Sequence, residues 1–84
     1  MLHIWSNRLM DTVVVKLDGE LDHHTAGEAR EKLDSLIEDP TIKNMVIDLK
    51  KLNFMDSSGI GVFIGRYKIL ARRGGKLSAI NVNL

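Results

Sequence analysis

The chain has 84 residues, enough for one small domain with a thin hydrophobic core. Its hydrophobic share of 44% and charged share of 27% are typical of a globular protein and argue against disorder. It contains no cysteine, which excludes a disulfide framework, thiolate metal ligation and a cysteine nucleophile. Because the sequence has no membrane-length apolar run and no signal-peptide pattern, we expect a cytoplasmic protein that does not bind membranes.

The formal net charge of +1 conceals an uneven distribution. All 11 acidic residues lie at or before Asp56, whereas residues 57–84 contain only basic charged residues. A basic stretch can indicate a nucleic-acid surface, but here no exposed aromatic residues alternate with the bases. Cations toward the C-terminal end of a helix also complement its dipole, so we expect no direct contact with nucleic acid.

Two strands are predicted at the start of the chain. Residues 2–5 alternate apolar and polar side chains and indicate an edge strand, and residues 10–12 suit a tight turn. Residues 13–17 are rich in valine, with one apolar face, and predict a second strand antiparallel to the first.

A helix and a buried strand follow. Thr25 and Glu28 have the spacing of a capping box, and Pro40 ends the helix. Its apolar residues recur at helical spacing: Ala26, Ala29, Leu33, Leu36 and Ile37. Residues 45–49 form a short, mostly apolar run that is typical of a central parallel strand.

A second helix is predicted to begin near Ser57 and to end at Gly74, followed by a strand over residues 76–82. Its expected core stripe consists of apolar residues at helical spacing: Ile60, Phe63, Ile64, Tyr67 and Ala71. Val62 and Ile69 fall on the opposite side of the helix, which predicts an exposed apolar strip suited to a protein partner.

The predicted order β-β-α-β-α-β defines an α/β fold with a mixed sheet and helices packed on it. Its crossovers make the last three strands parallel, with right-handed connections. The carboxyl ends of parallel strands meet at one edge of the sheet, so loops 19–25 and 53–58 should lie side by side. Ligands bind at this edge of open α/β sheets, which makes the two loops the candidate functional site.

The second loop leads into a helix through Asp56, Ser57 and Ser58, each of which is a residue type suited to the N-cap. Gly59 and Gly61 follow in the first turns, where the lack of a side chain lets another chain approach closely. A helix N-terminus also favours an anion, so a phosphate on either serine would feel the positive end of the helix.

A serine hydrolase is the enzymatic alternative, because Ser57, a histidine and an aspartate converge on this edge. The nucleophile motif Gly-x-Ser-x-Gly would need glycine in place of Met55, and the turn does not have it. The adjacent pair His23 and His24 does not form a metal site either, since neighbouring residues do not converge on one ion. We therefore expect no catalytic residues, no metal and no cofactor.

Two segments together carry a family resemblance: Gly-Glu-Leu-Asp-His-His-Thr at 19–25 and Phe-Met-Asp-Ser-Ser-Gly-Ile-Gly at 54–61, with Gly-Arg-Tyr at 65–67. They resemble the bacterial anti-anti-sigma factors of the STAS family over about residues 13–80, with the sporulation branch as the best match. The resemblance implies a non-catalytic switch whose unphosphorylated form binds an anti-sigma factor with serine kinase activity and frees the sigma factor. A serine phosphatase reverses the phosphorylation.

By motif position the resemblance assigns the phosphoacceptor to Ser57. It implies a partner-binding surface that comprises Asp22, His23, His24, Asp56, Ser58, Gly59, Gly61 and Val62. Family domains continue beyond the last strand predicted here, so we expect a single domain over residues 1–84 that is short at its C-terminus. The alternative within the family is a STAS domain of another branch, a stress-response antagonist or a stressosome component.

Overall fold

The computed structural model describes residues 1–82, and its elements follow the predicted order. They are β1 (Leu2–Leu9), β2 (Thr12–Leu21), α1 (Ala26–Leu36), β3 (Asn44–Met55), α2 (Ser57–Arg72) and β4 (Lys76–Ile80). The first three strands are longer than predicted, because each continues through polar residues whose backbone groups still find partners on the neighbouring strand. The predicted fourth strand was too long, since Asn81 adopts a positive φ of 57° and ends it.

The four strands form one mixed sheet in the order β1-β2-β3-β4. β1 is antiparallel to β2, and β2, β3 and β4 are mutually parallel, as predicted. Both crossovers advance in the same direction across the sheet, so right-handed connections place α1 and α2 on one face. An ion pair between Asp34 of α1 and Arg66 of α2 shows that the two helices are neighbours.

The core lies between this helical layer and one face of the sheet. The buried strand residues alternate along β2 and β3, as the period of a strand requires: Val13, Val15, Leu17, Met45, Ile47 and Leu49. α1 contributes Ala26, Ala29 and Leu33, which the helical spacing predicted. α2 ends at Arg72, just before the predicted stop at Gly74, which has a φ of 76°, and the N–H of Gly75 donates to the carbonyl of Leu70 at 2.9 Å.

Of the five residues in the predicted core stripe of α2, only Phe63 packs against the core, so the stripe was largely wrong for this helix. Its buried residues are Gly59, Val62 and Leu70, whereas Ile60, Ile64 and Tyr67 are each about half exposed. The reason lies at the first turn of the helix, where Gly59 is packed against Leu21 and Met55. A Cβ at this position would lie 2.7 Å from Leu21 Cγ, so the helix approaches the sheet through its glycine and turns its larger side chains away.

Candidate functional site

The two predicted loops meet at the carboxyl ends of β2 and β3, as expected. Leu21 pairs with Met55 at the ends of these strands. Immediately beyond them, the N–H of Asp56 donates to the carbonyl of Leu21 at 3.2 Å. The first turn of α2 is therefore fixed against the loop that leads into α1.

Asp56 is the N-cap of α2. Its backbone is extended, and its Oδ1 accepts a hydrogen bond from the Ser58 N–H at 2.9 Å. Ser57 is the first residue of the helix and is exposed, whereas Ser58 is half-buried. Of the two adjacent hydroxyl groups, that of Ser57 is thus the more accessible to an approaching protein.

Asp22 organises the other loop. Its Oδ1 accepts hydrogen bonds from the N–H groups of His24 at 2.9 Å and Thr25 at 3.1 Å. Partial desolvation raises the pKa of Asp22, but these two backbone donors and the nearby His24 outweigh it and hold the pKa below its ordinary value. The loop therefore presents a fixed negative charge close to the start of α2.

The predicted capping box at α1 was wrong. Thr25 makes no side-chain cap hydrogen bond to the helix. Instead its hydroxyl donates to the carbonyl of Glu20 at 2.9 Å and accepts from the N–H of Asp22 at 3.0 Å. The threonine therefore closes the loop, and the side chain of Asp22 accepts from the N–H groups of His24 and Thr25, which precede α1.

His23 and His24 are both exposed, and their rings contact each other with centroids 3.9 Å apart. Within residues 1–82 no group of three or more histidine, aspartate, glutamate or cysteine side chains is arranged to hold a metal ion. The pair is thus available as a polar surface beside the serine turn.

A groove of about 520 Å³ runs between α1 and α2 next to this loop. It is lined by His23, Ala26, Gly27, Arg30, Ser58, Gly61, Val62 and Arg66. Sequence reasoning missed Gly27, Arg30 and Arg66, because a charged or small residue on a helix is usually only solvated. Arg30 lies four residues after Ala26 and Arg66 four after Val62, and this helical spacing was the signal that would have placed the two arginines here.

The predicted exposed strip of Val62 and Ile69 was wrong. Val62 is only 3% exposed and forms part of the groove floor, and Ile69 packs against the core. Gly59, which was expected at the partner surface, lies in the first turn of α2 and is buried against the sheet. The residues of the predicted surface that remain open are those of the Asp22–His24 loop and the start of α2.

A second, larger depression of about 730 Å³ lies on the helix-free face of the sheet, between Trp5 and Lys50. None of the predicted site residues lines it. We place the candidate site at the start of α2 because the accessible serine, the two fixed carboxylates and the histidine pair are together there and not at the larger depression.

The fold and the site define a small α/β domain whose accessible chemistry is a serine hydroxyl on an open, polar surface. The sequence matches the STAS domain family over residues 6–83, and the chain belongs to this family. Within the described residues 1–82, no helix combines the length and apolar character needed to cross a membrane.

The chain is similar to named regulators of sigma factors. Over 71 residues it is 45% identical to an anti-sigma F factor antagonist of Paenibacillus polymyxa, an alignment that covers 84% of this chain and 61% of that protein. It is 38% identical to an anti-sigma-B factor antagonist of Bacillus subtilis (strain 168) over 71 residues, which cover 84% of this chain and 63% of that protein. The chain thus spans about three fifths of the length of these relatives.

The fold is similar to the solved structures of the anti-sigma factor antagonist SpoIIAA. Its unphosphorylated form superposes with a TM-score of 0.83 at 31% identity, and the match covers 98% of this chain and 76% of that one. SpoIIAA of Bacillus in its phosphorylated form gives a TM-score of 0.75 at 32% identity, with coverage of 98% and 73%. The mixed α/β fold predicted from the sequence is therefore confirmed.

Proposed function

We propose that this chain is an anti-sigma factor antagonist that is switched off by phosphorylation of Ser57. Its unphosphorylated form binds an anti-sigma factor with serine kinase activity and releases the sigma factor, and a serine phosphatase restores it. The observation that carries the proposal is the exposed Ser57 at the start of α2, in a chain similar to SpoIIAA and to an anti-sigma F factor antagonist. The proposal includes a cytoplasmic location, where the kinase has ATP.

The proposed domain is a binding module without catalytic residues of its own. Phosphoryl transfer needs ATP, Mg²⁺ and a group that orients the attacking hydroxyl, all of which the kinase supplies. This chain contributes the hydroxyl of Ser57 in a fixed position. The N-terminal end of α2 favours the negative charge that the phosphate adds.

Charge explains the release. A phosphoserine adds about 1.5 to 2 negative charges at neutral pH. The phosphate would lie between Asp56, which caps the helix, and the loop that Asp22 organises, so three negative groups would share one small surface. A partner docked there would face repulsion and the cost of desolvating these charges, and it would dissociate without any change of fold.

The proposed partner surface consists of the exposed and half-buried residues around the serine turn: Asp22, His23, His24, Asp56, Ser58 and Gly61. Incubation with ATP and the anti-sigma F factor of Paenibacillus polymyxa tests the acceptor by intact-mass spectrometry. We expect one added phosphate on the wild-type chain, none on Ser57→Ala and most of the wild-type extent of phosphorylation on Ser58→Ala. The opposite pattern for the two variants would reassign the acceptor.

The second candidate is an antagonist of the sigma-B branch, which the 38% identity to the Bacillus subtilis protein favours. Incubating the chain separately with an anti-sigma F factor and with an anti-sigma-B factor distinguishes the two candidate functions, because only the matched kinase should bind tightly and phosphorylate the chain. The serine hydrolase alternative is tested by incubating the chain with an acyl ester. It requires that the wild-type chain hydrolyses the ester and that Ser57→Ala does not.

A further inference from the structure

The groove between α1 and α2 is positively charged. Arg30 and Arg66 both line it, with His23 at its end near the serine turn. Arg30 is exposed and forms no ion pair with any of residues 1–82. The groove therefore contains one guanidinium group, that of Arg30, that no ion pair within residues 1–82 engages, while that of Arg66 is paired with Asp34.

Arg66 is held more tightly, but its hydrogen-bonding capacity is not filled. Its side chain is 12% exposed, and its Nε lies 3.1 Å from Asp34 Oδ1. This contact is close enough for an ion pair but lacks hydrogen-bond geometry, so the buried Nε has no hydrogen-bond acceptor. Because this Nε is buried against Asp34, a group that enters the groove can meet Arg66 only through its terminal nitrogens, and a carboxylate is the group that fits these planar donors best.

Two glycines keep the groove open. Gly27 of α1 and Gly61 of α2 both line it, and a Cβ built on either meets nothing within 4 Å. Glycine inside a helix is unfavourable relative to alanine, so the packing of this chain gives no reason for glycine at these two positions. Their effect is to let another chain approach the helix backbones closely.

We propose that the groove binds a carboxylate side chain of the anti-sigma factor, with Arg30 and Arg66 as its cationic contacts and Gly27 and Gly61 as its open floor. This inference rests on the proposed function and adds the chemistry of the partner. The carboxylate complements the lining of the groove, which contains two arginines and no acidic residue. Because Ser58 lines the same groove and Ser57 adjoins it, a phosphate on Ser57 repels the bound carboxylate and promotes release.

Charge reversal at Arg30 tests the groove, with Lys32 as the matched control. Both residues are exposed on α1 and both reversals change the net charge equally, but Lys32 does not line the groove. Calorimetry with the purified Paenibacillus polymyxa anti-sigma F factor, at low and high salt, should show binding weakened about 10- to 100-fold by Arg30→Glu and a smaller salt dependence. Lys32→Glu should stay within about twofold of the wild-type chain.

Glycine substitutions test the floor without changing charge. Gly61→Ala should weaken binding about tenfold by filling the space the partner enters. Gly65→Ala, at another helix-interior glycine with open space around its Cβ, should leave binding unchanged because Gly65 is outside the groove. Thermal melts of each variant separate a loss of contact from a loss of fold.

The outcomes distinguish this inference from the proposed function. Equal affinity of Arg30→Glu and the wild-type chain overturns the groove proposal and leaves the antagonist function standing. A loss with Lys32→Glu as large as that with Arg30→Glu overturns it too, since the effect is then general electrostatic attraction. No binding of the wild-type chain to either anti-sigma factor overturns both proposals. Light scattering tests whether a second copy of the chain occupies the groove. A dimer that forms in the wild-type chain and is abolished by Arg30→Glu also overturns the groove proposal.

Discussion

The three glycines of α2 differ in whether the packing around them leaves room for a side chain. Gly59 is required by the fold, because a methyl group there would lie within 3 Å of both Leu21 and Met55. Gly61 and Gly65, in the same helix, have open space where a Cβ would be. The sequence alone does not distinguish the three glycines. Only the side chains packed around each one determine whether the fold requires glycine there.

Alanine substitution at these glycines should therefore change stability in opposite directions. We expect Gly59→Ala to lower the free energy of unfolding by about 1–3 kcal/mol, the usual cost of overpacking a core. Gly61→Ala and Gly65→Ala should each raise it by about 0.5–1 kcal/mol, because alanine favours the helix. Urea unfolding of the three variants measures these changes in the free energy of unfolding. A Gly59→Ala variant as stable as the wild-type chain would mean that Leu21 and Met55 move aside easily.

An acidic residue in place of Ser57 separates stability from binding. Ser57→Asp puts a negative charge in the first turn of α2, which should stabilise the fold by about 0.3–1 kcal/mol. The same charge, beside Asp56, should weaken binding to the anti-sigma F factor, though less than phosphate does. Ser57→Ala should bind like the wild-type chain. Calorimetry and thermal melts on both variants measure the two effects, and equal affinities would exclude charge as the cause of release.

At the scale of the element, the type and order of the helices and strands could be predicted, and the roll of α2 about its axis could not. The alternation of apolar and polar residues along β2, and the helical spacing of apolar residues along α1, correctly predicted the buried faces of these two elements. In α2 most of the apolar stripe is exposed, and the buried residues are Gly59, Val62 and Leu70. Burial there is set by the fit of Gly59 against the β2 and β3 ends, a contact between segments far apart in sequence.

The roll of α2 predicts which of two similar substitutions is the more harmful. Val62 is 3% exposed and Ile64 is 49% exposed, although Ile64 has the larger side chain. Val62→Ala should lower the free energy of unfolding by about 1.5–2.5 kcal/mol, since it removes buried methyl groups and leaves a cavity. Ile64→Ala should cost less than about 1 kcal/mol. Denaturant unfolding that reversed this order would show that the apolar stripe is the buried face.

The site was predictable where chemistry is local and not where it depends on the packing of two helices. Asp56 was one of three candidate caps, and the serine turn that follows it was assigned from neighbouring residues alone. Arg30 and Arg66 are 36 positions apart, and they share a groove only because α1 and α2 are adjacent on one face of the sheet. Nothing near either arginine in the sequence indicates the other.

At the scale of the whole molecule, carboxylates join segments that are distant in the chain. The Arg8 guanidinium donates to Asp39 at 2.8 Å and so connects β1 to the segment between α1 and β3. The Asn81 amide donates to Asp48 at 2.8 Å and connects the residue after β4 to the middle of β3. The side chain of Arg8, with that of Thr41, holds the pKa of Asp39 well below its usual range, and Asn81 with the Lys50 N–H lowers that of Asp48.

These carboxylates predict a loss of stability in acid. A carboxyl group whose pKa is lower in the folded chain stabilises the fold at pH values above its unfolded pKa of about 3.9, and this contribution disappears as the pH falls through the folded value. The melting temperature should therefore not change with pH on account of these groups near pH 7, where they are fully ionised, and should fall progressively below about pH 4. Thermal melts in a series of buffers measure the decline.

Asp39→Asn should make that acid decline shallower, because asparagine has no proton to take up and the Arg8 interaction is already weakened at neutral pH. Its melting temperature should thus lie below that of the wild-type chain near pH 7 and approach it below pH 3. The control is Glu38→Gln, which removes an exposed acid next to Asp39 that forms no ion pair within residues 1–82. Parallel curves for the wild-type chain and Asp39→Asn across the whole range would show that the contact with Arg8 contributes nothing to the acid sensitivity of the fold.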